Sequence, residues 1–360
     1  MPQRMKWSFY GSSLVSAYWN GAATYYRGLI RALADRGHEV TFYEPDAYNR
    51  QENRDIPDPE WAKVHVYAPT EDGMRNALRL GAHADVIVKA SGVGVLDQEL
   101  ESAVAGMNRP GRLVAFWDVD APATLDRLEK DPDDPFHAVL ANFDLIFTYG
   151  GGEPVSRKYR AFGAKQCVPI YNALDPTTHY RVAPDPKFAG TLGFLGNRLP
   201  DREKRVEEYF IEAAKNLAGE TFVLGGSGWV DKAVPANLRY LGHIYTKEHN
   251  AFNSSTKAVL NLSRDSMASY GFSPATRVFE AAGAAACIIT DHWAGIEHFL
   301  EPGTEILVAR SKDEVIEIVT ALTPRRAAQI GNAALKRISE QHTYSQRAAL
   351  VERVLEGRFT

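Results

Sequence analysis

Short runs of β-branched, aliphatic and aromatic residues alternate with longer segments of helical periodicity along the chain, and the scheme runs through twice. In the first half the candidate strands are Lys6–Tyr10, Glu39–Tyr43, Val64–Tyr67, Asp85–Lys89, Arg112–Trp117, Asp144–Tyr149 and Cys167–Tyr171. Several are unbroken apolar runs, the pattern of a parallel sheet covered on both faces. Between them lie helical patterns. The clearest puts Tyr26, Leu29, Ile30 and Leu33 on one face, with Gly37 as its stop signal. In the second half the strand candidates are Thr191–Leu195, Thr221–Leu224, Leu238–Leu241, Ala258–Leu262, Ala286–Thr290 and Glu305–Val308. Helices are expected near Arg202–Leu217, Lys247–Ser254, Ser273–Ala282, Asp313–Leu322 and Arg325–Glu340. A final helix opens at Thr343, whose hydroxyl suits a cap that Gln346 completes as a capping box.

Two β/α halves in 360 residues predict an α/β protein of two doubly wound, Rossmann-like domains facing a cleft. The expected division is 1–172 for the first domain, 173–188 for a linker, 189–340 for the second domain and 341–360 for a closing helix that packs back toward the first. The linker is marked by Pro176, Pro184 and Pro186. Apolar residues at 45% and charged residues at 24% exclude a disordered or collagen-like chain, and a net charge of −4 gives no general pull toward nucleic acid or anionic membrane. Two cysteines, Cys167 and Cys287, exclude a cysteine-rich zinc site and suit a reducing compartment. The ten histidines show no metal-ligand spacing, so no metal is expected. The first residues lack the long apolar core of a signal peptide, and Val278–Ile289 is interrupted by Glu280 and too short to span a bilayer. The expectation is a cytoplasmic protein with no transmembrane segment.

Ligands of doubly wound sheets bind beyond the carboxyl ends of the strands, so the loops that follow strands carry the candidates. After the first strand, Gly11 to Thr24 is a small-residue loop opening a helix, and Gly21 and Ala22 suit an anion at its amino end. A tight strand-to-helix turn explains it equally well. No dinucleotide glycine fingerprint is present: Gly92 and Gly94 begin one, but its third place is Asp97. Asp118 and Asp120 follow an apolar strand. Asp120 suits a cap before Pro122, and Asp118 a role in the cleft. Gly150–Gly152 allows either close backbone approach or a loose turn.

In the second half, Gly196, Asn197 and Arg198 end a strand, where Arg198 could hold a diphosphate or pair with Glu203 or Asp201. Gly226 and Ser227 lie in a second glycine-rich loop, whose Trp229 could stack a base or plug the core. His243 follows the next strand, and Arg264 the one after. Ser273 is placed to cap a helix with Pro274 in its first turn, and Arg277 and Glu280 share one face of it. Glu280 sits among Phe279, Ala281 and Ala282, and an acid in such a setting needs a partner.

Three stretches resemble the nucleotide-sugar domain of GT-B glycosyltransferases, closest to the CgeB-like, spore-maturation type related to glycosyltransferase family 4. They are Gly193–Arg205, Arg239–Arg264 and Gly271–Glu297. His342, Thr343, Tyr344 and Arg347 resemble the family's closing helix, and Gly21–Val40 its first loop and helix. The resemblance implies that Glu280 binds the donor ribose, that Arg198 and Arg264 lie near the diphosphate, and that Gly21 and its neighbours lie across the cleft. One departure stands out. The family's paired-acid signature requires an acid at position 272, which is Phe272, leaving Asp265 as a displaced substitute.

The expected function is therefore metal-independent, retaining transfer of a sugar from a nucleotide-diphosphate donor, first of all a UDP-sugar, to an acceptor hydroxyl. No cofactor is required. Arg198 is expected to stabilise the leaving diphosphate. Inversion would instead call for a base, Asp118 or then Asp120. The alternatives are a non-catalytic nucleotide-sugar binder of a coat or envelope assembly and a nucleotide-sugar epimerase. The acceptor and the oligomeric state stay open.

Overall fold

The computed structural model describes residues 4–356. In the first half the strands are β1 (Lys6–Tyr10), β2 (Glu39–Pro45), β3 (Lys63–Tyr67), β4 (Val86–Ala90), β5 (Leu113–Asp118), β6 (Leu145–Thr148) and β7 (Cys167–Pro169). The second half holds β8 (Gly190–Leu195), β9 (Phe222–Gly225), β10 (Leu238–Tyr240), β11 (Thr256–Asn261), β12 (Ile288–Asp291) and β13 (Leu307–Ala309). They build a seven-stranded sheet in the order β3-β2-β1-β4-β5-β6-β7 and a six-stranded sheet in the order β10-β9-β8-β11-β12-β13. Neighbouring strands pair in parallel throughout: Trp7, for example, lies beside Val40 on one side and Val86 on the other. The expected α/β class with two doubly wound sheets is what the chain adopts.

The chain divides into two compact units. One runs up to Tyr171 and takes in the residues from Tyr344 onward; the other is Asn172–Thr343. In the first unit, every residue of β4 and β5 is buried, which explains their continuous apolar runs. Lys89 in β4 is the exception in chemistry. It is fully buried, and its ammonium is held by Asp97 at 2.6 Å and Glu101 at 3.5 Å. A buried amine is tolerable only with such partners.

The helix Tyr344–Leu355 belongs to this unit and lies on the helix Ala23–Asp35. Glu352 takes charge-assisted bonds from Arg36 and from His38, the latter at 3.0 Å. Burial alone would raise its carboxyl, but these two partners hold it below the usual range. Arg347 donates to the Tyr171 carbonyl at 3.1 Å. Gly28 makes the close approach possible, because a Cβ there would meet the Tyr344 ring at 2.2 Å.

The second unit packs Leu192, Phe194, Phe210, Leu224, Trp229 and Ile289 into one core. The expected helix at Arg202–Leu217 forms as one run from Pro200 to Asn216, with a π-helical turn at Glu207–Ile211. Ser273 does not cap its helix. That helix starts at Thr276 after Ala275, and the Ser273 hydroxyl turns back to the Gly271 carbonyl at 2.9 Å.

Gly28→Ala is expected to lose about 1–3 kcal/mol of stability through overpacking against Tyr344. Gly21→Ala, with nothing within 4 Å of the added carbon, should stay within about 0.5 kcal/mol of the parent. Urea unfolding followed by circular dichroism checks both.

Candidate functional site

In the second sheet, β8 is the strand from which the order runs both ways, so its carboxyl end and that of β11 flank the topological switch point. The loops after β8 and β9 meet there backbone to backbone. Gly196 N–H donates to the Gly225 carbonyl at 2.9 Å, Arg198 N–H to the Ser227 carbonyl at 2.9 Å, and Ser227 N–H to the Asn197 side chain at 2.9 Å. Gly226 has φ +124°, and a Cβ on it would lie 2.2 Å from the Gly196 carbonyl oxygen. These glycines therefore serve loop-on-loop packing. Trp229 plugs the core, donating from its indole to the Gly196 carbonyl at 2.8 Å. At the end of β10, His243 is exposed, sits edge-on to Tyr245 at 4.7 Å and lies 3.4 Å from the Ser227 hydroxyl.

Five guanidinium groups gather around this switch point, and their partners divide them. Arg198 pairs with Glu203 at 2.8 Å and Asp231 at 2.9 Å, and together with Lys232 it holds the Glu203 carboxyl down to about 2. Arg205 binds Asp265 at 2.6 Å and the buried Asp291 at 2.7 Å. Arg264 binds Asp201 at 2.6 Å. Arg202 and Arg277 are different. Arg202 donates to the Asn197 carbonyl at 2.7 Å and lies over the Phe194 ring, but its Nε is buried with no partner among the described residues. Burial, then the charge of Arg277, lowers Arg202 to about 10. Arg277 likewise buries an orphaned Nη1, and desolvation pulls its pKa down. Arg202 and Arg277 are thus two half-buried, mutually repelling cations, each with one buried donor that has no partner among the described residues.

Glu280 is 8% exposed and points at two histidines. Its oxygens lie 3.7 Å from His179 Nε2 and 3.9 Å from His249 Nδ1. Burial would raise Glu280, but positive charge beside it, from His179 and His249 when protonated and from Arg277, holds it below its usual range. Desolvation, with Arg277 and His179 adding to it, drops His249 to about 4, so its ring is neutral at pH 7. Phe272, at the position where an acid was required, has φ +45° and lays its ring against Gly295. Asp265, the suggested substitute, is tied to Arg205.

In the first unit, Asp118 ends β5 fully buried. It accepts from Ser91 Oγ at 2.7 Å, from the Asp120 N–H at 2.9 Å and from the Tyr159 hydroxyl. Burial raises its pKa against these bonds. Asp118, expected to have a role in the cleft, is instead fully buried, and its three bonds brace the loop after β5. Asp120 stands at the N-cap of the helix Ala121–Lys130 without a side-chain cap bond. Gly21 is exposed and Ala22 is the N-cap of the helix Ala23–Asp35. The loop before them is held by Asn20, which donates to the carbonyls of Ser13 at 2.9 Å and Ser16 at 3.0 Å. It presents Trp19, 75% exposed at φ +47°.

Comparison with known proteins decides the architecture. The sucrose-phosphate synthase of Thermosynechococcus elongatus superposes with a TM-score of 0.74 at 12% identity, covering 99% of each chain. An α-glucosyltransferase in complex with UDP-glucose and DNA containing an abasic site gives 0.69 at 12% identity, over 98% of this chain and 100% of that one. Anabaena HepE in complex with UDP-glucose gives 0.66 at 13% identity, over 98% and 99%. The fold is GT-B. A family model described as glycosyl transferase-like matches residues 202–353 of this GT-B chain. No curated protein matches it by sequence. Among the described residues no helix is long and apolar enough to cross a membrane.

Sequence reasoning singled out Arg198, Arg264, Arg277 and Glu280 as donor-binding candidates of the second half, but it overlooked Arg202, His179 and His249. Arg202 lay inside a recognised stretch, where its place one turn after Arg198 in a carboxylate-rich segment was the available signal. His179 fell in the expected linker and His249 in a helix, with no spacing to join them.

Gly226→Ala is expected to cost about 2–4 kcal/mol, from a left-handed backbone and the collision with Gly196. The depressed His249 gives a second outcome. Between its ordinary pKa of 6.5 and the folded value of about 4, the unfolded chain binds a proton that the folded one refuses. Stability from this residue is full above about pH 6.5 and drains as pH falls toward 4, by up to about 3 kcal/mol. Urea unfolding of metal-free protein across this range should show the slope, and His249→Asn should flatten it.

Proposed function

We propose that this chain is a glycosyltransferase that moves a sugar from a nucleoside-diphosphate donor, foremost a UDP-sugar, to an acceptor hydroxyl. The observation that carries the reading is the pair of half-buried arginines near the switch point of the second sheet, Arg202 and Arg277, each with a buried donor that has no partner among the described residues. A diphosphate supplies the charge and the acceptor oxygens this pair lacks. The match to a glycosyl transferase-like family model and the likeness to UDP-glucose complexes support the same reading. Kinship with the CgeB-like type and with family 4 is part of the proposal, as is ribose binding by Glu280. His243 and Tyr245, exposed at the end of β10, are the candidates to flank the nucleobase.

Charge growing on the departing diphosphate is met by fixed cations, so the transfer itself needs no metal at the phosphates. Retention is the favoured outcome. Asp118, the first choice of base for inversion, is closed off inside its own unit by three donors. In the retaining route the bond between the anomeric carbon and the phosphate oxygen breaks, and the acceptor oxygen bonds the same face. The acceptor proton passes to the released diphosphate.

The test is a thermal-shift and calorimetric screen with UDP, GDP, ADP and TDP. One nucleotide should stabilise the protein, by about 2.7 kcal/mol at 100 times its dissociation constant. Arg202→Ala should weaken that binding by about 10–100-fold. No stabilisation by any of the four, or an unchanged affinity in Arg202→Ala, would sink the assignment. Transfer onto an acceptor, or slow donor hydrolysis, then separates an enzyme from a binder.

A further inference from the structure

His179, His249 and Glu280 come from three separate segments of the second unit, and their ligating atoms all lie within 4.8 Å of one another. His179 precedes β8, His249 opens the helix His249–Ser255, and Glu280 lies in the helix Thr276–Gly283. The inner ring nitrogens, His179 Nε2 and His249 Nδ1, are buried and have no hydrogen-bond partner among the described residues. Their separations of 3.7 and 3.9 Å from Glu280 are too long for hydrogen bonds.

The outer ring nitrogens fix what the inner ones carry. His249 Nε2 lies 3.3 Å from the Ile244 carbonyl, which can only accept. That nitrogen therefore bears the proton, and Nδ1 turns a lone pair inward. The Thr178 hydroxyl donates to the Asp175 carbonyl at 3.2 Å, so it accepts from His179 Nδ1 at 3.0 Å. His179 Nε2 then also turns a lone pair inward. Two imidazole lone pairs and a carboxylate converge with no proton between them. An imidazole oriented by an outer oxygen, with its other nitrogen free, is the arrangement of a metal-bound histidine.

We propose that His179, His249 and Glu280 form a binding site for one divalent transition-metal ion of the zinc and cobalt class. With bonds of about 2.0–2.1 Å, two ligands of a tetrahedral ion lie about 3.4 Å apart, so the three groups close on an ion by shifts of under about 1 Å. Arg277, on the same helix as Glu280, is the charged group that also faces the cluster. Its guanidinium opposes a cation held by charge alone, so affinity rests on the imidazoles. That favours zinc or cobalt over magnesium or calcium. Three protein ligands leave a coordination position open. The site shares Glu280 with the proposed ribose contact, but its test does not depend on that contact.

The experiment uses the full chain stripped with a chelator. Cobalt(II) is titrated and followed by its visible ligand-field bands, and zinc by calorimetry and by displacement of cobalt. One equivalent of cobalt is expected to give intense bands of low coordination number, removed by zinc and untouched by excess magnesium. His179→Ala and His249→Ala should each weaken zinc binding at least about tenfold, while His83→Ala, at an exposed histidine of the first unit, should not. Circular dichroism checks that each variant folds, and His179→Asn and His249→Asn replace any that does not. Absence of saturable cobalt bands in the parent overturns the proposal. So does zinc affinity unchanged in both histidine variants, or displacement of cobalt by magnesium.

Discussion

Every strand pairing in both sheets is parallel, and parallel neighbours cannot be joined by a tight turn. Each strand must be followed by a crossover, and each crossover begins at the carboxyl edge of a sheet. This single constraint buries β4 and β5 on both faces and gathers the loops after β8, β9, β10, β11 and β12 on one edge. It also creates the switch point, where β8 has β9 on one side and β11 on the other. The buried side-chain donors Arg202 Nε and Arg277 Nη1, without partners among the described residues, belong to the helices that follow β8 and β11.

Electrostatics then sorts the residues on that edge. Arg198, Arg205 and Arg264 are matched by Glu203, Asp231, Asp265, Asp291 and Asp201, so they stitch loops together. Arg202 and Arg277 make no direct ion pair among the described residues, and each carries a buried donor without a partner there. A protein interior rarely keeps unpaired charge unless something else completes it. The same logic separates the carboxylates. Asp118 is saturated by three donors and is a brace, whereas Glu280 faces lone pairs and is incomplete.

The alternation of apolar strands and helical patterns was enough to place the thirteen strands of the described residues within a few positions, because both-face burial writes itself as unbroken apolar runs. Local signals had limits. Ser273 and Pro274 read as a helix start, yet the backbone turns through Gly271 and Phe272 first and the helix opens at Thr276. The glycine-rich loop at Gly226 suggested a ligand-facing backbone, but the space beside Gly226 is taken by the Gly196 carbonyl, and that beside Gly196 by the Arg202 and Phe194 side chains. Trp229 offered two roles in sequence, and its depth in the core chose between them.

What the sequence by itself determined was the α/β class, the two doubly wound sheets and the loops at the strand ends, since periodicity and strand-end position are properties of consecutive residues. Only the tertiary structure decided which charges are compensated. Arg198 finds Asp231 and Arg205 finds Asp291 across long separations, and those meetings leave Arg202 and Arg277 unpaired. His179, His249 and Glu280 are likewise joined by no spacing in the chain; packing alone brings their lone pairs together, because a side chain's partners are set by three-dimensional proximity and burial.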